Sequence, residues 1–259
     1  MPLTSSPGFG LALSGGAARG IAHIAVLDVL EREGIPIHAI AGTSAGSVVG
    51  ALYCAGMPLM EISRILVDAK WTDILKFTVP RQGLISSEGI YRFMDSILPV
   101  KKFSALLFPF AAVATDLRTG EKVSITTGSI ARAVQASCSL PVVFTPTEIN
   151  RRILVDGGIA SQIPVRTVRE ELGSKKVIAV NVNFNSLELE RFDSMIRIAA
   201  HLSAIWASRN ARVEEKLADV LVNVNVKGIP LFDLSRAKEL LKRGTKAAEE
   251  KLPEIRALM

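Results

Sequence analysis

The sequence predicts an α/β fold, a three-layer α/β/α sandwich built around a largely parallel central sheet. Short apolar runs typical of buried strands alternate with segments whose apolar residues recur at helical spacing. The chain has 259 residues, 49% of them hydrophobic, which is enough to bury a sizeable core. Because glycines and prolines are scattered and no repeat is present, we expect one domain over residues 1–259. Its motif-bearing core is expected at about 9–183, with a C-terminal strand and helices over 184–259.

The first half of the chain alternates strands with helices. The predicted elements are a strand at 9–13, a helix at 20–32, a strand at 37–41, and helices at about 45–54 and 59–70. Ser87 is predicted to cap a further helix with Ile90, Phe93, Met94 and Ile97 on one face. That helix and the apolar run 103–110 are candidates for an acyl-chain groove or lid, or they simply fill the core.

The second half begins with a predicted hairpin and ends with parallel strands. The predicted elements are hairpin strands at 110–115 and 122–126, a helix at 130–136, paired strands at 142–148 and 153–155, strands at 177–182 and 220–224, and a long helix near 189–207 between those two. Strands separated by helices in this way favour a parallel sheet.

Charge and composition narrow the class of partner. The net charge of +6 suits an anionic partner, and we expect weak, reversible contact with anionic membrane surfaces. Aromatic residues make up 5% of the chain, too few for base-stacking platforms, so no nucleic acid is expected. The sequence leaves the oligomeric state open.

The location of the protein is predicted from three features. The N-terminus lacks the basic region of a signal peptide, and Cys54 and Cys138 have neither metal-ligand nor disulfide spacing. The uncharged stretch 34–60 is long enough to span a bilayer, but Pro36 and further glycine and proline breaks argue against it. We therefore expect a cytoplasmic protein, peripheral at the inner membrane surface, with no metal and no cofactor.

The segment GTSAG, residues 42–46, fits the G-x-S-x-G pattern of a strand-to-helix turn that exposes a serine hydroxyl. A predicted strand precedes Ser44 and a predicted helix follows it, so the Ala45 amide and the positive helix end should lie where an oxyanion forms. Small residues are needed at Gly42 and Gly46 because the backbone of such a turn is crowded. A glycine-rich corner without catalytic function is the alternative.

A serine nucleophile needs a base, and the candidates are few. His38 lies six residues before Ser44 on the predicted strand, roughly 20 Å away and out of reach. His23 and His201 lie on predicted helices, where a lone histidine is usually a packing or surface residue. Asp156 ends an apolar strand and is followed by two glycines that permit close backbone approach, although Asp-Gly is also an ordinary turn signal.

The glycine loop SGGAARG, residues 14–20, follows the first strand and holds backbone amides open for a negative charge. The P-loop is excluded because Ile21 stands where a lysine is needed, and the dinucleotide fingerprint is excluded by the glycine spacing. An oxyanion or a static phosphate remains as the ligand.

Three motifs in order resemble those of the patatin-like phospholipases, especially the compact bacterial members: SGGAARG at 14–20, GTSAG at 42–46 and DGG at 156–158. The segments ASCSLP at 136–141 and ATDL at 114–117 are similar to lesser signatures of the same family. The resemblance covers roughly residues 11–183.

The resemblance implies a role for each matching residue. Ser44 would be the nucleophile and Asp156 its base in a dyad without histidine, with Gly15, Gly16 and Ala17 as oxyanion-hole amides. Arg19 would help to shape the loop. The remaining loop-support residues are Gly20, Gly42, Gly46, Gly157 and Gly158. Many members have Asn six residues after the Asp, where this chain has Gln162, so the support of that loop differs here.

The implied activity is hydrolysis of lipid carboxylic esters, of phospholipids or lysophospholipids, through an acyl-enzyme. Two alternatives stay open: a regulatory or interaction module of the same fold with little turnover, and an acyltransferase that passes the acyl group to an acceptor other than water. The sequence does not determine the natural lipid or the ester position that is cut.

Overall fold

The computed structural model describes residues 8–69, 85–186 and 195–259. The strands of the described residues are β1 (Phe9–Leu13), β2 (Ile37–Thr43), β3 (Phe110–Asp116), β4 (Lys122–Ile125), β5 (Thr147–Ile149), β6 (Arg152–Asp156), β7 (Val177–Phe184) and β8 (Val220–Asn225). Their α-helices are α1 (Ile21–Arg32), α2 (Ala45–Cys54), α3 (Leu59–Asp68), α4 (Glu88–Ile97), α5 (Ile130–Ser137), α6 (Met195–Glu215) and α7 (Ala237–Ala257). Short 3₁₀ turns cover Ala17–Gly20 and Gly157–Ile159.

All eight strands belong to one sheet with the order β5-β6-β3-β2-β1-β7-β8, and β4 pairs with β3 off this path. The five neighbouring strands β3, β2, β1, β7 and β8 run parallel. The strands β4, β5 and β6 join antiparallel at one side. The predicted parallel sheet is therefore confirmed for its centre. Of the antiparallel pairs, β3–β4 and β5–β6 are joined by short turns, as is usual for hairpins, whereas β3–β6 is not.

Side chains on the two faces of the central strands enter two different apolar clusters. Leu11 and Leu13 of β1 join the larger cluster with residues of α1, α2 and α7, whereas Ala12 joins the smaller one with Ala211 of α6. This alternation follows from the two-residue period of a strand. The sheet is flanked by helices, as the predicted sandwich requires.

Four predicted features differ from the observed ones. The strand predicted from Val142 begins only at Thr147, because residues 141–143 form a turn in which Val142 has φ 71°. Ser87 precedes α4, but its side chain makes no cap and instead accepts a hydrogen bond from Gln135 Nε2 (2.9 Å). Helix α3 ends at Asp68, because Ala69 is extended, and the long helix continues to Glu215 rather than ending near 207. The predicted start of the long helix near Leu189 lies outside the described residues.

The uncharged stretch 34–60 folds as β2, the turn at Ser44 and α2, so its predicted division by a turn is confirmed. Within the described ranges, no helix has both the length and the apolar character to cross a bilayer.

Candidate active site

Ser44 lies in the sharp turn between β2 and α2, with φ 49° and ψ −121°. Positive φ is rare for a residue with a Cβ and marks a strained turn. The Ser44 carbonyl accepts hydrogen bonds from the Ser47 amide (2.8 Å) and the Ser47 hydroxyl (2.6 Å), and the Ser44 amide donates to Ser137 Oγ (2.9 Å). These contacts hold the strained backbone in place.

The glycines that flank Ser44 are required by close backbone packing. A Cβ on Gly42 would lie 2.4 Å from the Gly46 carbonyl, and one on Gly46 would lie 2.3 Å from the Leu13 carbonyl oxygen. Gly20 approaches the turn equally closely, because its Cβ would lie 2.4 Å from Ala45 Cβ. The turn therefore packs directly on the end of β1 and on the glycine loop.

Asp156 ends β6, which pairs with β3 through Ala114 opposite Asp156. One oxygen of its buried carboxyl accepts a hydrogen bond from the Gly158 amide (2.8 Å). Burial raises the pKa of Asp156 to about 6, while hydrogen bonds from Gly158 and from the Ser44 side chain act in the opposite direction. The Ser44 side chain is thus close enough to act on the pKa of this carboxyl, both residues line one cavity, and the carboxyl can take a proton near neutral pH.

Close backbone packing also explains the two glycines after Asp156. A Cβ on Gly157 would lie 2.2 Å from the Val113 carbonyl oxygen, and one on Gly158 would lie 2.6 Å from Gln162 Oε1. Both positions therefore exclude larger residues.

Two hydroxyl groups that the sequence analysis did not single out support these turns. Ser137 Oγ, which accepts from the Ser44 amide, donates to the Val113 carbonyl (2.6 Å). Thr115 Oγ1 donates to the Asp156 carbonyl (2.9 Å). Ser137 lies in the lesser motif at 136–141 and Thr115 in the one at 114–117, so these motifs were the sequence signal that could have identified them. The hydrogen bonds explain why a hydroxyl is needed at each position.

The glycine loop offers fewer open amides than predicted. The Gly15 amide donates to the Gln162 carbonyl (3.1 Å), so in this structure it is not open to an oxyanion as the resemblance implied. Gly15 instead packs against the serine, because a Cβ at this position would lie 3.3 Å from Ser44 Cβ. The amides of Gly16, Ala17 and Ala45 have no acceptor among the described residues.

Arg19 is buried and links the glycine loop to the loop that contains Ile229. Its Nε and Nη2 donate to the Ile229 carbonyl (3.0 and 2.7 Å), and its Nη1 donates to Asn183 Oδ1 (3.3 Å). Burial lowers the pKa of Arg19 to about 10, which still leaves it charged at neutral pH. The side chain thus shapes the loop from behind.

The three histidines occupy different places. His23 is buried, its Nε2 donates to the Ser14 carbonyl (2.8 Å), and burial lowers its pKa to about 4. His38 contacts Ser174 Oγ (3.1 Å). His201, which the sequence placed on a distant helix, lines the same cavity as Ser44.

Cys138 adds a thiol to the site. Its Sγ lies 3.9 Å from Ser47 Oγ, and burial together with the charge of Asp156 raises its pKa to about 12. Both cysteines are free thiols, and Cys54 is buried. In the described ranges, no group of three or more His, Cys, Asp or Glu side chains is arranged to hold a metal.

Ser44 and Asp156 open into one cavity of about 1410 Å³, here called the Ser44 cavity. One part of its wall is apolar and comes from α2, α3, α4 and the turn after α5; its members include Val48, Leu66, Ile90, Phe93, Met94, Leu140 and Phe144. The other part comes from the end of β7, from α6 and from the 226–234 loop, and carries the polar residues Asn181, Asn183, Arg212, Glu215, Lys227 and Asp233.

The two apolar segments predicted to form a groove or lid, α4 and the run 103–110, border different cavities. Helix α4 lines the Ser44 cavity, whereas the run 103–110 borders a different pocket of about 330 Å³. No residue of the run lines the Ser44 cavity, and Phe103 and Phe110 belong to the larger apolar cluster, so the run fits the alternative that it fills the core.

Solved structures with the same fold carry similar overall geometry. VipD from Legionella pneumophila matches with a TM-score of 0.61 at 15% identity over 95% of this chain and 67% of its own. The type III effector protein ExoU matches with a TM-score of 0.54 at 14% identity over 96% of this chain and 53% of its own. At these identities the likeness extends to the fold alone.

Sequence relatives are closer. An uncharacterized NTE family protein of Mycobacterium tuberculosis (strain H37Rv) is 31% identical over 93% of this chain, which spans 62% of the relative's length. A lysophospholipase NTE1 of Cryptococcus neoformans is 33% identical over 67% of this chain, which spans 11% of that protein. The family model for patatin-like phospholipases matches residues 11–169. The chain belongs to the patatin-like phospholipase family.

Proposed function

We propose that this chain is a serine acyl hydrolase that cleaves carboxylic esters of lipids. The observation that carries the proposal is that Ser44 and a buried Asp156 line one cavity, in which the Gly16 and Ala17 amides have no acceptor among the described residues. A hydroxyl, a base and open amide donors are the components that acyl transfer requires.

In the proposed mechanism Asp156 removes the Ser44 proton as Ser44 Oγ attacks the ester carbonyl. The oxyanion is stabilised by the amides of Gly16, Ala17 and Ala45. The intermediate collapses, the protonated Asp156 gives its proton to the leaving alcohol, and an acyl-Ser44 remains. Asp156 then takes a proton from water, the hydroxide attacks the acyl group, and a fatty acid leaves as Ser44 regains its proton.

The two-part wall of the Ser44 cavity supports a lipid with an acyl chain and a polar headgroup as the substrate. The apolar part, which includes Phe93 and Met94, suits the chain, and the polar part, which includes Arg212 and Lys227, suits a phosphate-bearing headgroup. The curated relative named as a lysophospholipase supports a single-chain phospholipid.

Incubation of the purified chain with defined phospholipids and lysophospholipids, followed by mass analysis of the products, tests the proposal. We expect free fatty acid from the wild type. The Ser44→Ala variant should lose at least about 10³-fold in rate, because it lacks the nucleophile, and a fluorophosphonate should label the wild type at Ser44 alone. Normal turnover by the folded variant would refute the proposal. An acylated alcohol or thiol in place of fatty acid would identify an acyltransferase instead.

We also propose that α6 docks on an anionic membrane surface. Its inner face lines the Ser44 cavity, whereas its outer face exposes an apolar stripe at helical spacing, formed by Met195, Ile198, Leu202, Trp206 and Val213. The exposed cation Arg209 falls at the same helical spacing, and the exposed Lys216 directly follows the end of the helix. A stripe of this kind with a Trp and flanking cations is typical of interfacial helices.

Vesicle sedimentation and Trp fluorescence test this docking. The chain should bind phosphatidylglycerol vesicles weakly and less at high salt, and Leu202→Ser should reduce binding because Leu202 is 60% exposed on the stripe. Leu117→Ser, at a 54% exposed position on the β3–β4 turn, serves as the matched control. Equal binding by both variants would exclude α6 as the docking surface, and a concentration-dependent dimer would assign the stripe to a second copy of the chain.

A further inference from the structure

The peptide between Gly15 and Gly16 is held from one side by two side-chain amides. Asn183 Nδ2 donates to the Gly15 carbonyl at 2.6 Å, and Gln162 Nε2 donates to the same oxygen at 3.2 Å. The Gly15 amide is fixed as well, because it donates to the Gln162 carbonyl at 3.1 Å. Gln162 thus contacts Gly15 through both its backbone and its side chain.

Because the peptide bond is planar, the position of the Gly15 carbonyl also fixes the direction of the Gly16 amide. In a trans peptide the carbonyl of one residue and the amide of the next point in opposite directions. The described peptides contain no cis bond. With the Gly15 carbonyl directed at Gln162 and Asn183, the Gly16 amide faces away from both side chains, and it has no acceptor among the described residues.

A Gly-Gly peptide needs such restraint. Neither residue has a Cβ, so the backbone on both sides tolerates conformations in which the peptide is flipped. A flip would direct the Gly15 carbonyl to where the Gly16 amide now points and replace a hydrogen-bond donor with an acceptor. The two hydrogen bonds to the Gly15 carbonyl oppose this flip, because a flipped carbonyl would lose both.

The orientation of the Asn183 amide group follows from its neighbours. Arg19 Nη1 donates to Asn183 Oδ1 at 3.3 Å, and a guanidinium offers donors only. The other end of the amide must therefore be the NH₂ group that donates to the Gly15 carbonyl. Arg19 is in turn anchored on the Ile229 carbonyl, so the loop containing Ile229 fixes Asn183, and Asn183 fixes the Gly15–Gly16 peptide.

We infer that Gln162 and Asn183 are positioning residues that direct the Gly16 amide at the oxyanion. This inference rests on the proposed acyl hydrolase function. Neither side chain needs to touch the reacting atoms, because both act through the Gly15 carbonyl. Gln162, which occupies the position where many family members have Asn, thereby stabilises the glycine loop through its hydrogen bonds with Gly15.

The test compares kcat with KM for Asn183→Asp, Asn183→Leu and Gln162→Leu on a chromogenic ester. Each variant removes one donor to the Gly15 carbonyl, so we expect kcat to fall about tenfold with KM within about threefold. The Asn183→Leu/Gln162→Leu double variant should lose 10²-fold or more, as when an oxyanion donor is lost. Affinity for a long-chain trifluoromethyl ketone, whose adduct with Ser44 carries the oxyanion, should fall in proportion to kcat/KM, while fatty-acid binding stays unchanged.

Asn150→Asp, in the exposed turn between β5 and β6, is the matched control and should keep full activity. Each variant is first shown to unfold cooperatively near the wild-type temperature. An effect of Asn183→Asp without one of Asn183→Leu would trace the loss to added charge, and unchanged kcat in the double variant would overturn the inference. Ser44→Ala separates the two proposals: if it keeps its activity, the proposed function fails, whereas a dead Ser44→Ala beside a fully active double variant refutes the positioning alone.

Discussion

Ser44 and Asp156 line the same cavity but are held in contrasting ways. Ser44 has a positive φ of 49° in a turn packed so tightly that Gly42 and Gly46 cannot carry a Cβ. Asp156 has an ordinary extended backbone, with φ −47° and ψ 134°, but its carboxyl is buried and its pKa is raised to about 6. The strained backbone of the turn sets the position of the Ser44 side chain, whereas burial away from solvent sets the pKa of Asp156.

The difference determines what each residue contributes to stability. Strain at Ser44 belongs to the turn and persists whatever side chain replaces the hydroxyl, provided that it has a Cβ. The free-energy penalty at Asp156 comes from burying its ionised carboxyl group, and it disappears when that charge is removed. Substitutions at the two positions therefore have different expected signatures.

Asp156→Asn should give the largest loss of activity in this comparison, at least about 10³-fold, because an amide cannot accept the serine proton. It should also stabilise the fold. The folded pKa of about 6 lies above the ordinary 3.8, so folding favours the protonated form and wild-type stability falls as the pH rises from about 4 to 6. Above that window the variant should be more stable by about 3 kcal/mol, and at pH 4 by much less.

Denaturant unfolding of Asp156→Asn and of wild type at pH 4 and pH 8 measures this difference. Ser44→Ala is the matched comparison, since it removes activity without removing a buried charge and should show little pH-dependent gain. Equal stability of Asp156→Asn and wild type at pH 8 would contradict the account of Asp156 as a desolvated carboxylate.

Gly16→Val should reduce the acylation rate by about 10²-fold, the scale of losing an oxyanion-hole donor. The cause is close packing, since Gly16 has an extended φ of 166° and its Cβ would lie 2.6 Å from Val182 Cγ2. Stopped-flow acylation by a chromogenic ester measures the effect. Gly120→Asn, in a turn with open space around it, is the control and should leave the rate unchanged. A normal rate in a well-folded Gly16→Val would contradict the account in which close packing at Gly16 fixes the position of its amide.

Replacement of His23, His38 or His201 by Gln should cost less than about tenfold in kcat/KM. Neither ring nitrogen of His23 makes a hydrogen bond to Ser44, since Nε2 contacts the Ser14 carbonyl and Nδ1 has no partner among the described residues. His23→Gln is expected to lower the unfolding temperature because the position is buried. A folded histidine variant as inactive as Ser44→Ala would replace the dyad with a triad.

The pH–rate profile alone does not separate a carboxylate base from a histidine here. Burial brings the pKa of Asp156 to about 6, close to the ordinary 6.5 of histidine. The temperature dependence of the acid limb does separate them, because ionisation of a carboxyl group is nearly athermal and that of an imidazole is endothermic. We expect an acid limb that hardly moves with temperature, and a limb that shifts like that of an imidazole would exclude Asp156 as the base.

The sequence by itself determined the elements that depend on local rules. Helix α2 at Ala45–Cys54 and strand β1 at Phe9–Leu13 have the predicted bounds, because apolar periodicity and glycine punctuation act within a few residues. The turn between β2 and α2 was predictable for the same reason, since G-x-S-x-G specifies its own backbone geometry. The strand predicted from Val142 was wrong because a turn with positive φ interrupts the apolar pattern.

Only the tertiary structure decided which backbone amides around Ser44 lack an acceptor and how far the pKa of Asp156 is raised. The Gly15 amide is used by Gln162, 147 residues away in the chain, and the Gly15 carbonyl by Asn183, 168 residues away. Such contacts leave no local pattern, because they depend on where β1, β7 and the turn after β6 meet at one edge of the sheet. The pKa of Asp156 likewise depends on burial by several elements at once. Local sequence thus supplied the chemical groups, and long-range packing determined their directions and charge states.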